Sequence, residues 1–159
     1  MSPASRTTCT HVVIAPVIPI LIVTFFAPAC PPAYCQTGAN QTELGKTRSL
    51  AESQHEIVVI LLGKKQFDQA LVEANKIFLM NWPADQEPLL LKELLRLSDR
   101  FMHSGQTAMG IKLLEGNQKS FKSRASQASI WKEKGYLLKS MGKSDQALEC
   151  FREAQRLEK

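Results

Sequence analysis

The sequence has few of the residues from which catalytic and metal sites are built. Its 159 residues include four cysteines and three histidines. There is no C-x-x-C pair, and His55 and His103 have no neighbouring ligand, so we expect no metal site. Neither G-x-x-x-x-G-K-[ST] nor G-x-G-x-x-G occurs, which excludes the common phosphate-binding loops. The sequence therefore predicts a protein that is not an enzyme and uses no cofactor.

The sequence also lacks a large excess of positive or negative charge. There are 20 basic and 15 acidic residues, and the net charge of +5 is too small to indicate a nucleic-acid partner. Residues 91–159 hold 14 of the basic and 8 of the acidic groups. We interpret this basic region as solvated surface, with a docking patch for an acidic partner or lipid headgroups as the alternative.

The first 39 residues contain one charged side chain, Arg6. Residues 12–27 form an apolar run, and Ala27-Pro28-Ala29 follows with the spacing of a cleavage site. This order is typical of a secretory signal peptide. The run is shorter than the roughly 20 residues of a membrane-spanning helix. We predict that residues 1–29 are a signal peptide, or alternatively a membrane anchor.

Two cleavage points remain open at this stage. Cleavage after Ala29 would expose Cys30, which resembles the lipidated cysteine of a bacterial lipobox, whereas cleavage before Gln36 would remove it. Residues 30–45 have little apolar content and are predicted to be a flexible tether. The protein is expected to be exported, periplasmic or secreted, with membrane anchoring as the alternative.

From residue 46 onward the apolar residues follow a helical period. We predict an all-α fold in which Ile57, Ile60 and Leu61 form one stripe of the first helix. Gly and Pro residues end the helices and pair them through short turns. Six helices are predicted, over residues 47–62, 67–80, 87–103, 106–116, 125–140 and 144–158.

An internal repeat supports this pairing. The tetrapeptide Asp-Gln-Ala-Leu at 68–71 recurs at 145–148. Each copy opens the second helix of a predicted pair and follows a turn that contains Gly and Lys. Such a recurrence indicates a helical repeat.

The last pair resembles the tetratricopeptide repeat (TPR), a helix-turn-helix unit of about 34 residues. The resemblance implies three stacked hairpins over 46–159, at about 51–84, 91–124 and 128–159, in a short right-handed solenoid. Small residues would let paired helices approach, and large ones would fill the space beside them. The residues assigned to this packing are Ala70, Gly110, Trp131, Gly135, Ala147, Phe151 and Ala154.

The resemblance also implies a groove, lined by the first helix of each unit, that binds a peptide or protein segment. The groove residues in this frame are His55, Val59, Leu62, Leu95, Asp99, Met102, Lys132, Tyr136 and Lys139. We expect an exported interaction scaffold, or alternatively a membrane-anchored or lipidated structural subunit of an envelope complex. Leu148 at the C-terminal end suggests a weak homodimer.

Overall fold

The computed structural model describes residues 36–159, and this part of the chain is helical with no strand. The predicted all-α class is confirmed. Two short 3₁₀ turns, Ala84–Gln86 and Gln118–Ser120, precede the third and fifth helices. The α-helices of the described residues are α1 (Gln36–Gly63), α2 (Phe67–Leu79), α3 (Glu87–His103), α4 (Thr107–Asn117), α5 (Arg124–Ser140) and α6 (Ser144–Glu158).

The helices form three hairpins, α1/α2, α3/α4 and α5/α6. Each turn contains one residue with a left-handed backbone, and these are Lys65 (φ 59°), Gly105 (φ 74°) and Gly142 (φ 75°). They are 40 and 37 residues apart, and the residue after each returns a backbone hydrogen bond to the preceding helix. This bonding is the Schellman type of helix ending, for which glycine is the preferred residue.

Each hairpin packs mainly against its neighbour, through α2 with α4, α3 with α5 and α4 with α5. The largest fully buried side chains are Phe101, Ile77 and a set of leucines on α3 and α4. A single hairpin leaves one apolar face uncovered, so stacking of hairpins completes the core. This arrangement is compatible with a helical repeat fold.

The first helix differs from the prediction at its N-terminal end. It begins at Gln36 rather than near residue 47, so the part of the predicted tether from 36 to 45 is helical. Its side chains from 41 to 50 are mostly exposed, which explains why the sequence there shows no apolar period. The predictions for residues 1–29 and for Cys30 concern residues outside the described range. Within 36–159, no helix has the length and apolarity needed to cross a membrane.

The apolar stripe predicted for α1 is not its buried face. Ile57 and Ile60 are exposed, and Leu61 is half-buried. The core side of α1 instead presents Ala51, His55, Val58 and Leu62. The reason is that α2 and α3 both lie on the side that holds His55, so Ile57 and Ile60, nearly half a turn away around the helix, face solvent.

Candidate protein-binding face

The first helices of the hairpins, α1, α3 and α5, are joined side by side by polar contacts. Between α1 and α3, Nδ1 of His55 pairs with Oε1 of Glu93. Between α3 and α5, Oγ of Ser98 donates to Oε1 of Glu133 at 3.2 Å. These contacts hold the three helices in a row whose outer surface we call the first-helix face.

The predicted groove residues differ in their exposure to solvent, from buried to exposed. His55 and Leu62 are buried, and they do not contribute open surface. Val59, Leu95 and Met102 are half-buried, whereas Asp99, Tyr136 and Lys139 are exposed. The partly exposed Lys132 forms an ion pair with Glu158 at the end of α6.

The burial of a groove residue depends on which hairpin it belongs to. Equivalent positions in successive hairpins are 40 and 37 residues apart. His55, Leu95 and Lys132 occupy one repeat position, where the side chain is buried in the first hairpin and half-buried in the second and third. His55 is covered because α3 packs beside it. No hairpin follows α6 within the described residues, and Lys139 is exposed there, while Lys132 is half-buried and pairs with Glu158.

A cleft of about 400 Å³ lies between α1 and α3. Its α1 wall carries Glu52 and Glu56, and its α3 wall carries Lys92 and Arg96, each pair spaced i, i+4 on one helix face. These four residues were not among those predicted from the sequence. Charges four apart on a predicted helix could have indicated them, but such pairs are common on solvated faces.

Carboxylates and histidine at this face have contrasting environments. Nε2 of His55 is buried and has no hydrogen-bond partner among the described residues. Burial raises the pKa of Glu133, the Ser98 hydroxyl opposes this shift, and the nearby charge of Asp99 adds to it. The Glu133 carboxyl is thus already partly removed from water in the folded chain.

A second cleft, of about 710 Å³, lies between α4 and the last hairpin. Trp131 lines it, Nζ of Lys134 lies 5.0 Å from the Trp131 ring centroid, and the same amine pairs with Glu115 at 2.7 Å. Cys150 also lines this cleft, and burial raises the pKa of its thiol, with Lys134 opposing. The thiol is therefore protonated at neutral pH and is a weak nucleophile.

The residues assigned to repeat packing lie at helix contacts. A Cβ atom built on Gly135 would come within 2.8 Å of the Phe151 ring, which in turn meets the Tyr136 ring edge-on at 5.1 Å. Ala70, Gly110, Ala147 and Ala154 are buried, and Trp131 and Phe151 are half-buried. At Gly110 and Gly135 the neighbouring helix lies so close that a β-carbon has no room.

Among residues 36–159, no group of three His, Cys, Asp or Glu side chains is placed to hold a metal ion. The described residues thus present a polar helical face of mixed charge and two open clefts. No protein-family model, curated protein or solved structure matches the chain.

Proposed function

We propose that the protein is a non-enzymatic scaffold that binds a peptide or protein segment on its first-helix face. The observation that carries this proposal is the row of first helices: His55 of α1 pairs with Glu93 of α3 beside an open cleft, and α3 packs against α5. Extended segments bind well along such a row because each helix offers one set of contacts.

We also infer that the three hairpins are TPR-like units of a short right-handed solenoid. The equivalent turn residues at 65, 105 and 142 support this reading. So do the small buried residues Ala70, Gly110 and Ala147, which recur with the same spacing of 40 and 37. In this proposal the open part of the groove is formed by Val59, Asp99 and Tyr136 and the charged cleft walls, while His55 and Leu62 serve packing.

The charges of the cleft set the character of the partner. One wall is acidic and the other is basic, so a segment that carries both a basic and an acidic side chain complements it. The exposed ring of Tyr136 provides an apolar contact at the other end of the face.

Site-specific photocrosslinking tests the proposed face. A photoreactive phenylalanine analogue replaces Tyr136 in one variant and Val72 in another; Val72 is also exposed but lies on α2, away from the face. We expect a discrete crosslinked partner from position 136 and none from position 72. The charge reversal Arg96→Glu should reduce that crosslink, with helix content unchanged by circular dichroism.

Equal crosslinking from both positions, or none from position 136 together with an undiminished pull-down of the partner, would place the binding site elsewhere. In either case the proposed face would be abandoned.

We further propose export, with residues 1–29 acting as a signal peptide. The alternative is a structural subunit of an envelope complex, held by an uncleaved anchor or by lipid on Cys30. Mass spectrometry of the mature N-terminus distinguishes the two. A start at Gln36, or an unmodified Cys30, supports the exported scaffold, and a lipidated Cys30 or an intact Met1 supports the anchored subunit.

A further inference from the structure

Helix α1 carries an exposed apolar stripe that no described element covers. The stripe consists of Leu50, Ile57 and Ile60, whose exposed fractions are 62%, 43% and 54%. With Ser53 they are spaced three, four and three residues apart. This spacing is typical of the seam along which two helices pack in a coiled coil.

The stripe lies on a side of α1 away from the rest of the fold. Gln54 faces α2, where its Nε2 donates to the backbone oxygen of Glu73 at 3.1 Å. His55 faces α3, where it pairs with Glu93. The stripe faces away from α3, which belongs to the second hairpin. It therefore lies on the outer side of the first hairpin, at the N-terminal end of the row.

Three of the six equivalent positions in the later hairpins hold buried leucines, whereas Arg100 is exposed and Gln127 and Lys134 are half-buried. With the repeat offset of 40, Leu50 and Ile57 correspond to Leu90 and Leu97, which are 8% and 0% exposed. With the further offset of 37, Ile60 corresponds to Leu137, which is fully buried. In the second and third hairpins these positions lie at the junction with the hairpin before. The first hairpin has the apolar residues for such a junction but no preceding hairpin in the described chain.

The C-terminal end of the row is unlike the N-terminal end. There, Lys132 of α5 pairs with Glu158 of α6, and Nη2 of Arg124 donates to the backbone oxygen of Arg156 at 3.3 Å. Leu148 is the one exposed large apolar residue of α6. A head-to-tail contact would bury the apolar stripe against these charges, so this end does not complement the stripe.

We propose that the stripe packs against the same stripe of a second copy, giving a two-fold dimer through α1. A self-complementary apolar seam meets this requirement, because each residue of the stripe then finds an apolar partner. The proposal rests on the proposed function in one respect: residues 1–29 serve export or anchoring and do not cover α1.

Sedimentation equilibrium of the protein, isolated from cells that express the whole sequence, tests the dimer. The variants are Leu50→Glu and Ile57→Glu in the stripe. The matched controls are Leu79→Glu on α2, where the leucine is 82% exposed, and Leu148→Glu on α6. Circular dichroism verifies that each variant is folded, and Leu50, the most exposed residue of the stripe, provides the variant that least perturbs the monomer.

We expect a concentration-dependent dimer for the wild type and both controls. Each stripe variant should raise the dimer dissociation constant about tenfold or more, because a charge would have to be buried in an apolar seam. A strictly monomeric wild type would overturn the proposal, as would a dimer that only Leu148→Glu dissociates. A monomeric wild type that melts at a lower temperature when Ile57→Glu is introduced would assign the stripe to the protein's own N-terminal segment instead. The photocrosslinking of the first-helix face is independent of all these outcomes, so it reports separately on the proposed function.

Discussion

Gly110 marks the closest approach between helices α3 and α4. A Cβ atom built at this position would lie 2.9 Å from the backbone oxygen of Ser98 and 3.4 Å from a methyl group of Leu137. The obstructing atom is backbone, which cannot rotate away. Gly116, six residues later on α4, has its nearest such neighbour, Oδ1 of Asn75, at 3.9 Å.

We predict opposite effects of the same substitution at these two glycines. Gly110→Ala should lower the free energy of unfolding by about 1–3 kcal/mol, because the added methyl group overpacks a close contact. Gly116→Ala should raise it by up to about 1 kcal/mol, because alanine favours the helix over the unfolded chain. Urea unfolding followed by circular dichroism gives both values. Equal effects of the two substitutions would contradict the close approach at Gly110.

At this scale the sequence predicted residue types better than directions. Ala70, Gly110 and Ala147 could be singled out because helix pairs need small residues where they cross. The exposure of Ile57 could not be predicted, because the sequence does not distinguish an exposed isoleucine from a buried one. Only the positions of α2 and α3 around α1 decide between them.

Among the elements, the start of α3 is tied to the start of α5. Glu87, in the first turn of α3, accepts hydrogen bonds from the backbone N–H groups of Lys122 at 2.9 Å and Ser123 at 3.0 Å. Ser123 in turn caps α5, where its Oγ accepts from the N–H of Ser126 at 3.1 Å. Partial desolvation opposes ionisation of Glu87, but hydrogen bonds with Ser126, Lys122 and Ser123 outweigh it and lower the pKa of Glu87 from 4.5 to about 2.

This linkage predicts a specific pH dependence of stability. The carboxyl of Glu87 has a lower pKa in the folded protein than in the unfolded chain, so its contribution is complete above pH 4.5. The contribution is lost as the pH falls from about 4.5 to about 2. The variant Glu87→Gln should therefore lose less stability over this interval than the wild type. Thermal melts at a series of pH values compare them, and parallel curves would show that Glu87 does not stabilise this junction.

Helix boundaries were the most predictable feature at this scale. The predicted ends of α2 to α6 agree with the structure to within one residue, because apolar periodicity and Gly or Pro signals coincide there. The start of α1 was missed by eleven residues. Residues 41–46 are mostly exposed and, apart from Leu44, polar or small. A helix that buries no side chains has no apolar period to detect in its sequence.

The core of the whole described region is distributed unevenly along the row. Helix α3 buries four large apolar side chains, Leu90, Leu94, Leu97 and Phe101. Helix α6 buries only Ala147, Cys150 and Ala154, which carry much less apolar surface. Since apolar burial supplies most of the local stability, α6 is held less strongly than α3.

We predict that native-state hydrogen exchange will resolve this difference. Amides of α6 should exchange through openings of lower free energy than amides of α3, because α6 can separate from α5 without exposing the main core. Exchange monitored by mass spectrometry on peptides from the two helices provides the comparison. The same opening free energy in both helices would mean that the three hairpins unfold as a single cooperative unit.

The sequence predicted three hairpins and a groove along their first helices, but not the charged cleft between α1 and α3. The pairing follows from short turns, which force consecutive helices together. The charged cleft of Glu52, Glu56, Lys92 and Arg96 depends on how two hairpins are rotated against each other. That rotation is set by side-chain shape at the junction, which no local pattern in the sequence encodes.

Packing between neighbours also determines how this chain can reach its folded state. The main contacts join helices that are adjacent along the chain or separated by one helix. Few loops must therefore close before native contacts form, and proteins with such short-range contacts fold rapidly. Each hairpin can form as soon as its two helices are available and then serve as the surface on which the next one settles. A chain of this kind needs no distant partner strand or remote segment to begin folding, so it can acquire its structure progressively from either end.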